Sequence, residues 1–128
     1  MKIFLDTGSL EEVQQYKPFI DGVTTNPSLV SSFDVAKVIC NVIKGPVSVE
    51  VTELIWQKMV EQARYIRKMG ENVVIKLPLT VEGLIACQKL FEEGTKINVT
   101  LVFSANQGLL AMKAGATYVS PFIGRLDD

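Results

Sequence analysis

One lysine in this chain has the setting expected of a chemically active amine. Lys76 closes an apolar run over residues 73–75, and Pro78 follows it closely. A short run of β-branched residues is typical of a parallel strand buried on both faces, and proline resists continuation as a central strand, so we predict a strand over 73–76. A buried ammonium ion is costly without a partner. A desolvated lysine is suited to attack on a carbonyl group to form a Schiff base; the alternative is a lysine whose amine reaches water at the strand end.

The composition excludes several other chemistries. The 128 residues include no histidine, which removes Ser-His-Asp and Cys-His catalysis and disfavours a zinc site. The sequence contains neither of the glycine-rich nucleotide-binding motifs GxxxxGK[ST] and GxGxxG. Cys40 and Cys87 lie in helical patterns without CxxC spacing, so we expect reduced core thiols. We therefore expect no metal and no cofactor, with proton transfer carried out by carboxylates, lysine, tyrosine or water.

Charge and hydropathy limit the partners and the location. The formal net charge is −1 and the charged residues are spread evenly, so we expect no binding to nucleic acid. No apolar run is long enough to cross a bilayer, and an acid at Asp6 comes too early for a signal peptide. The sequence therefore predicts a cytoplasmic protein without membrane contact and with a single domain over residues 1–128.

Short apolar runs alternate with helical patterns along the chain. The pattern predicts six strands, over residues 3–5, 22–25, 47–51, 73–76, 97–101 and 118–121. It predicts helices that begin at a capping box over Ser9–Glu12 and continue over 34–43, 55–69, 81–93 and 105–114, with Gly94 as a C-cap. The side chains expected to face the core from these helices are Leu10, Val13, Phe19, Val35, Val38, Ile39, Val42, Ile55, Met59, Ala63, Ile66, Leu84, Cys87 and Phe91.

Alternating strands and helices predict an α/β fold with a parallel sheet joined by right-handed crossovers. The regular spacing and the polar residues at the strand ends favour a (β/α)8 TIM barrel over a doubly wound sheet. Such a barrel needs eight strands and at least about 200 residues, whereas this chain supplies about the first six strands and five helices. The first and last strands would be open edges, which invite association. We expect either a C-terminally incomplete piece of a longer protein or a shortened relative that forms a homo-oligomer.

Polar residues stand at successive strand ends, which point to one mouth in a parallel barrel. Each has a structural alternative: Asp6 could form an Asx turn, Asn26 before Pro27 a helix N-cap, and Glu50 the solvent side of an alternating strand. Two acids, a lysine, two amides and two hydroxyls fit metal-free aldol chemistry on a sugar. The set consists of Asp6, Asn26, Glu50, Lys76, Asn98, Thr100 and Ser120.

Several motifs identify a family resemblance. They are Phe4-Leu5-Asp6-Thr7, Gly22-Val23-Thr24-Thr25-Asn26-Pro27-Ser28, Val73-Val74-Ile75-Lys76-Leu77-Pro78, Asn98-Val99-Thr100-Leu101-Val102-Phe103-Ser104 and Ser120-Pro121-Phe122-Ile123-Gly124-Arg125. Together they resemble the transaldolase family, and in particular its compact branch related to fructose-6-phosphate aldolase. The likeness runs over residues 1–128 without an apparent gap.

The resemblance implies a barrel in which Lys76 forms the Schiff base with a ketose phosphate. It implies that Asp6 takes the proton from the sugar hydroxyl as the carbon–carbon bond breaks, and that Glu50 and Thr100 hold the water that moves protons. The dihydroxyacetone unit is then handed to an aldose phosphate. The residues that would bind the sugar hydroxyls and the phosphate are Asn26, Asn98, Ser120 and Arg125.

Two positions separate the close relatives. The aldolase branch carries glutamine where this chain has Glu50, and tyrosine where it has Phe122 beside the substrate. The resemblance therefore implies transfer, and an aldolase-type lyase is the alternative. The family's segment after the seventh strand, which completes the phosphate site, has no counterpart here. A catalytically incompetent remnant is the other alternative.

Overall fold

The computed structural model describes residues 3–25, 33–102 and 105–121. Within these ranges the chain alternates strictly between strands and helices. The strands are β1 (Phe4–Asp6), β2 (Gly22–Thr24), β3 (Val47–Glu50), β4 (Val73–Pro78), β5 (Ile97–Val102) and β6 (Tyr118–Pro121). The helices are α1 (Leu10–Tyr16), α2 (Phe33–Val42), α3 (Trp56–Arg67), α4 (Val81–Glu92) and α5 (Ala105–Lys113), with a short 3₁₀ turn (Lys17–Phe19) after α1.

The strands form one parallel sheet in the order β1-β2-β3-β4-β5-β6. Each strand pairs with the next in sequence because each helix carries the chain back to the starting end. The sheet is curled so far that the aromatic rings of Phe4 on β1 and Tyr118 on β6 meet edge to face, with centroids 6.3 Å apart. The predicted α/β architecture is therefore confirmed: the chain is a partial TIM barrel.

The predicted end of β4 at Lys76 is wrong, because the strand continues to Pro78. Along β4 the backbone groups of alternate residues face opposite neighbours, and the carbonyl of Lys76 faces β3, where it accepts from the N–H of Val51 at 3.2 Å. A backbone N–H at position 78 would point to the same side as the Lys76 carbonyl, where β3 has already ended at Glu50. On its other side, β4 still pairs with β5 as far as Pro78. Proline is tolerated here because no ladder bond needs its missing N–H.

The ends of the helices follow local capping chemistry. Ser9 caps α1 by accepting from the N–H of Glu12 at 3.3 Å, as predicted. In a capping box the Glu12 side chain would accept from the N–H of Ser9. Here that N–H donates to the Thr7 hydroxyl instead, at 3.0 Å. After α4, the C-cap is Glu93 and not Gly94 as predicted; Gly94 is the next residue and has φ +80°, the left-handed conformation in which many helices end.

The main core lies between the outer face of the sheet and the helices. Its sheet residues include Val49, Ile75 and Val99, and its helix residues include Met59 and Ile66; each is at most 2% exposed. Burial of this apolar surface is the main force that holds the helices on the sheet. The two cysteines are also part of this core and are free thiols, as predicted; burial raises the pKa of each to about 11.

Four side chains predicted to face the core are exposed instead. Phe19 lies in the 3₁₀ turn, where the helical period of α1 no longer holds, and Ile55 precedes the first turn of α3. Val38 is exposed because α2 buries a neighbouring stripe of its surface. Phe91 leaves the core at the end of α4 and lies against Gly115, where an added Cβ would be 2.5 Å from the ring. The buried stripe of α2 consists of Ala36, Ile39 and Cys40 and continues to Ile43.

At the amino ends of the strands, which we call the lower end, one amide side chain joins several loops. Asn72 Nδ2 lies within hydrogen-bonding distance of the carbonyls of Cys40 at 3.1 Å, Ile43 at 2.7 Å and Gly45 at 2.9 Å. The Asn72 side chain therefore ties the end of α2 to the start of β4.

No helix in the described ranges is long and apolar enough to span a membrane.

Candidate active site

The inner face of the sheet carries the polar side chains. Residues paired across parallel strands share a face, and successive residues alternate between faces. The outer residues pack against helices, so the partners of Lys76 lie on the opposite, interior face. Successive rows of the interior face are Asp6, Thr24, Ser48 and Val74; then Glu50, Lys76, Asn98 and Tyr118; then Pro78 and Thr100.

Lys76 is buried on this interior face, with only 8% of its surface exposed. Its Nζ donates a hydrogen bond to the backbone carbonyl of Thr25, at 3.3 Å. The side chain thus crosses the end of β3 to reach the end of β2. The alternative in which the amine extends into water is excluded by this burial and contact.

Glu50 lies directly beside Lys76 in the register of β3 and β4. The carboxyl group is half-buried, and this burial raises its pKa above the usual value, while the positive charge of Lys76 partly offsets the shift. Glu50 is thus partly buried on the same face as the buried lysine, and the residues before it on β3 are buried on both faces, unlike those of an alternating strand. A carboxyl group with a raised pKa beside an amine is suited to proton exchange.

Asn98 flanks Lys76 on the other side, in the register of β4 and β5. It is 3% exposed, and its Nδ2 is 3.5 Å from the Ser48 hydroxyl, at the long limit of a hydrogen bond. Thr100 is also buried, two residues further along β5, and pairs with Ser120 on β6. Amide and hydroxyl groups therefore line the interior from β3 to β5.

Asp6 stands at the end of β1 and pairs in the register with Thr24. The Thr24 hydroxyl donates to Asp6 Oδ1 at 3.0 Å, and the N–H of Thr7 donates to the Thr24 carbonyl at 3.0 Å. Asp6 is exposed and lies in the interior row next to that of Lys76. The hydroxyl of Thr24 thereby fixes the carboxylate at the strand end.

The interior face brings together Lys76, Glu50, Asn98 and Thr100, and Asp6 belongs to the same face. Three other predicted site residues, Asn26, Phe122 and Arg125, lie outside the described residues, as does the predicted helix start at Pro27. For Ser120, the backbone pairing with Thr100 is described.

Three residues of the site were missed in the sequence: Thr24, Thr25 and Ser48. A signal existed for Ser48, because it precedes Glu50 by two residues and alternation puts both on one face. Thr24 could be found only from the register with Asp6, and Thr25 acts through its backbone carbonyl, which any residue carries.

The arrangement offers a buried amine, a carboxyl group of raised pKa and neutral hydrogen-bonding groups around a concave face. This set can add an amine to a carbonyl carbon and move protons beside it. Among the residues that the structure describes, no acidic or cysteine side chains cluster in a way that could hold a metal ion.

Sequence comparisons show the family of this chain. The family described as Transaldolase/Fructose-6-phosphate aldolase matches residues 32–128. A protein named "Probable transaldolase" from Methanococcus vannielii is 54% identical over 135 aligned positions, and one from Brucella ovis is 51% identical; each alignment includes 100% of this chain. The alignments are longer than the 128 residues, so the expectation of a gap-free likeness is wrong.

The same relatives are longer than this chain. It spans 63% of the Methanococcus vannielii protein and 62% of the Brucella ovis protein. Because the matched region covers most of the chain and includes Lys76 and its neighbours, the chain belongs to the transaldolase/fructose-6-phosphate aldolase family.

Proposed function

We propose that this chain carries the catalytic lysine of a transaldolase. The enzyme transfers a dihydroxyacetone unit from a ketose phosphate, such as fructose 6-phosphate or sedoheptulose 7-phosphate, to an aldose phosphate. We propose that it does so in the cytoplasm, as part of the pentose phosphate pathway and as a homo-oligomer. The observation that carries the proposal is the burial of Lys76 on the interior face beside Glu50. Support also comes from relatives named "Probable transaldolase".

The reaction begins at the amine of Lys76. Its nitrogen attacks the ketose carbonyl carbon and the carbon–nitrogen bond forms. The carbonyl oxygen takes one proton from the amine and one from the Glu50 carboxyl group and leaves as water, which gives a protonated imine; hydrolysis later returns the proton to Glu50. Asp6 then removes the proton of the hydroxyl on the fourth carbon. The bond between the third and fourth carbons breaks, its electron pair flows to the imine as an enamine, and an aldose phosphate leaves.

Transfer reverses these bond changes with a second aldose. The enamine carbon attacks the carbonyl carbon of the acceptor, and the new alkoxide takes the proton back from Asp6. Water then hydrolyses the imine and restores the Lys76 amine. No oxidant or reductant is needed, because every electron pair released in the cleavage is returned in the addition.

Glu50 and Thr100 have the task of holding and polarising the water that leaves and returns. The raised pKa of the Glu50 carboxyl group lets it hold a proton closer to neutral pH than an ordinary glutamate does. Asn98 and Ser120 would hydrogen-bond the sugar hydroxyls. In this proposal Asn26 and Phe122 also contact the sugar, and Arg125 binds one phosphate group.

A second candidate is a fructose-6-phosphate aldolase-type lyase, which releases free dihydroxyacetone. The family description includes both activities. Glu50 favours transfer, since the aldolase branch has glutamine at this position. The two activities share the chemistry of Lys76 and differ in the fate of the enamine.

Borohydride trapping tests the proposal. The protein is incubated with fructose 6-phosphate, reduced, and digested for peptide mass analysis. We expect a three-carbon adduct on Lys76, and none in the Lys76→Ala variant. Lys89→Ala is the matched control, because Lys89 is exposed over the ring of Trp56, 5.9 Å from its centroid.

Adding erythrose 4-phosphate before reduction separates the two activities. In a transaldolase, the three-carbon unit moves from Lys76 to erythrose 4-phosphate, so the adduct disappears and sedoheptulose 7-phosphate forms. A lyase releases free dihydroxyacetone even when no acceptor is present. A folded protein that gives no adduct under either condition contradicts both activities and leaves a non-catalytic remnant.

A further inference from the structure

One buried threonine makes three contacts at the end of β2. Thr25 is 1% exposed and follows β2 directly. Its N–H donates to the carbonyl of Ser48 at 3.0 Å, and its hydroxyl donates to the same carbonyl at 2.6 Å. Its own carbonyl accepts from Lys76 Nζ at 3.3 Å. The residue therefore links the backbone of β3 to the amine on β4.

The hydroxyl bond is an addition to the ordinary sheet ladder. The bond from the Thr25 N–H continues the pairing of β2 with β3, which any residue other than proline could make. The hydroxyl of Thr25 gives the carbonyl of Ser48 a second donor. Thr25 itself stands at the end of β2, a strand of only three residues. A short strand end is free to twist or fray, and a second buried bond to the same acceptor restrains it.

This restraint matters because the Thr25 carbonyl accepts a hydrogen bond from the Lys76 amine. A lysine stem has several rotatable bonds, and the position of its nitrogen is set by what the nitrogen contacts. A neutral amine that donates one N–H to a fixed carbonyl has its lone pair directed away from that carbonyl. The same carbonyl oxygen also faces the N–H of a protonated imine, whose positive charge it favours.

We propose that Thr25 is a positioning residue for Lys76: its hydroxyl, bonded to Ser48, fixes the carbonyl that orients the amine for attack on a ketose. This inference rests on the proposed Schiff-base function, which it deepens. It assigns a role to a side chain that does not itself contact the reacting atoms.

The first test compares Thr25→Val with Thr25→Ser. Valine keeps the shape of threonine and loses the hydroxyl, and serine keeps the hydroxyl. In borohydride trapping with fructose 6-phosphate, we expect the Val variant to form the Lys76 adduct on the order of 10-fold more slowly, because attack depends steeply on orientation. The sugar concentration for half-maximal rate should stay the same, and the Ser variant should recover most of the wild-type rate.

The second test needs no sugar. Trace labelling with acetic anhydride, read by peptide mass spectrometry, measures the reactivity of Lys76 relative to Lys89 in the folded protein. We expect this ratio to rise severalfold in Thr25→Val, because the amine leaves its buried contact and reaches the reagent more often. Thr95→Val is the matched control: it also removes the hydroxyl of a buried threonine, but in the described part of the chain that hydroxyl has no hydrogen-bond partner, so the ratio should stay at the wild-type value.

The inference requires a crossover, in which the Val variant labels Lys76 faster with the anhydride but traps the sugar more slowly. It is overturned by an unchanged labelling ratio, or by a parallel rise at every lysine, which would mean a general loss of structure. If Thr25→Val does not fold, Thr25→Ala also lacks the hydroxyl and gives the same readouts. A wild-type protein without a sugar adduct refutes the proposed function, whereas the labelling ratio still decides the role of Thr25.

Discussion

The two ends of the parallel strands use their polar side chains differently. At the lower end, Asn72 makes contacts of 2.7–3.1 Å to three backbone carbonyls. On the interior face towards the upper end, Lys76 and Asn98 make contacts of 3.3 Å and 3.5 Å. The lower contacts give part-buried backbone carbonyls a donor, and so they stabilise the fold.

These upper contacts differ in length. The contact of Asn98 with the Ser48 hydroxyl is at the long limit of a hydrogen bond, so a substrate hydroxyl can compete for it, whereas the Thr25 carbonyl that contacts Lys76 belongs to a residue held by a 2.6 Å bond. Asp6 is intermediate, since Thr24 holds one of its oxygens at 3.0 Å while the residue remains exposed. The difference teaches that stability and chemistry can be changed separately in this chain, by substitutions at opposite ends of the same strands.

The largest expected effect is on chemistry alone. Lys76→Met should lower sugar turnover by at least about 1,000-fold, because the nucleophile is lost. Its urea midpoint should stay the same or rise, because an apolar side chain of similar length replaces a buried amine. Lys89→Met is the control for both measurements. A large fall in the midpoint would mean that Lys76 is mainly structural.

The next effect is on stability alone. Asn72→Ala should lower the free energy of unfolding by about 1–3 kcal/mol, because three part-buried carbonyls lose their donor. Urea unfolding followed by circular dichroism measures the change, and Glu71→Ala, at the exposed neighbouring position, is the control. The adduct yield per folded molecule should not change. A loss of adduct formation equal to that of Lys76→Met would remove the distinction between the two ends.

Two glycines sharpen the view of the lower end. Gly94 and Gly115 both have positive φ, +80° and +108°, but an added Cβ meets nothing within 4 Å at Gly94 and lies 2.5 Å from the Phe91 ring at Gly115. Gly94→Ala should lower the free energy of unfolding by about 1 kcal/mol through backbone strain alone. Gly115→Ala should lose about 2–3 kcal/mol, since steric overlap is added. Equal losses in urea unfolding would show that Phe91 moves aside freely.

The smallest effect is a pH dependence at the upper end. Burial raises the pKa of Glu50 in the folded protein, so the folded state binds its proton more tightly than the unfolded state. The contribution of Glu50 to stability is therefore fully present below the unfolded pKa and is lost as pH rises through the folded pKa. The unfolding free energy of the wild type minus that of Glu50→Gln should fall from pH 4 towards neutral pH. A difference that rises over this range would mean that the charge of Lys76 outweighs burial.

Much of the fold was predictable because it depends on local patterns. The alternation of strands and helices, the Ser9 cap and the end of α4 near Gly94 follow from residue type and spacing, and the structure confirms them. Pro78 was predicted to end β4 because the rule for proline assumes a neighbour on both sides. Where β3 ends cannot be read from the sequence of β4, so the outcome depended on tertiary pairing.

The site was predictable to the extent that parallel strand ends converge. Glu50, Lys76 and Asn98 were chosen because they are polar on apolar strands, and their pairing in one row follows from the register. Thr25 could not be found in this way. Its contact with Lys76 uses a main-chain oxygen, and only the three-dimensional path of β2 brings that oxygen to the amine.

The contact between Phe4 and Tyr118 has a mechanical consequence for this sheet. The two rings hold the first and last strands close together, and this contact restrains the curvature of the six-stranded sheet. A polypeptide segment that adds strands between β1 and β6 would have to separate these two rings. The distance between β1 and β6 would then increase. The polar interior would then become roomier without any change to the rows that hold Lys76.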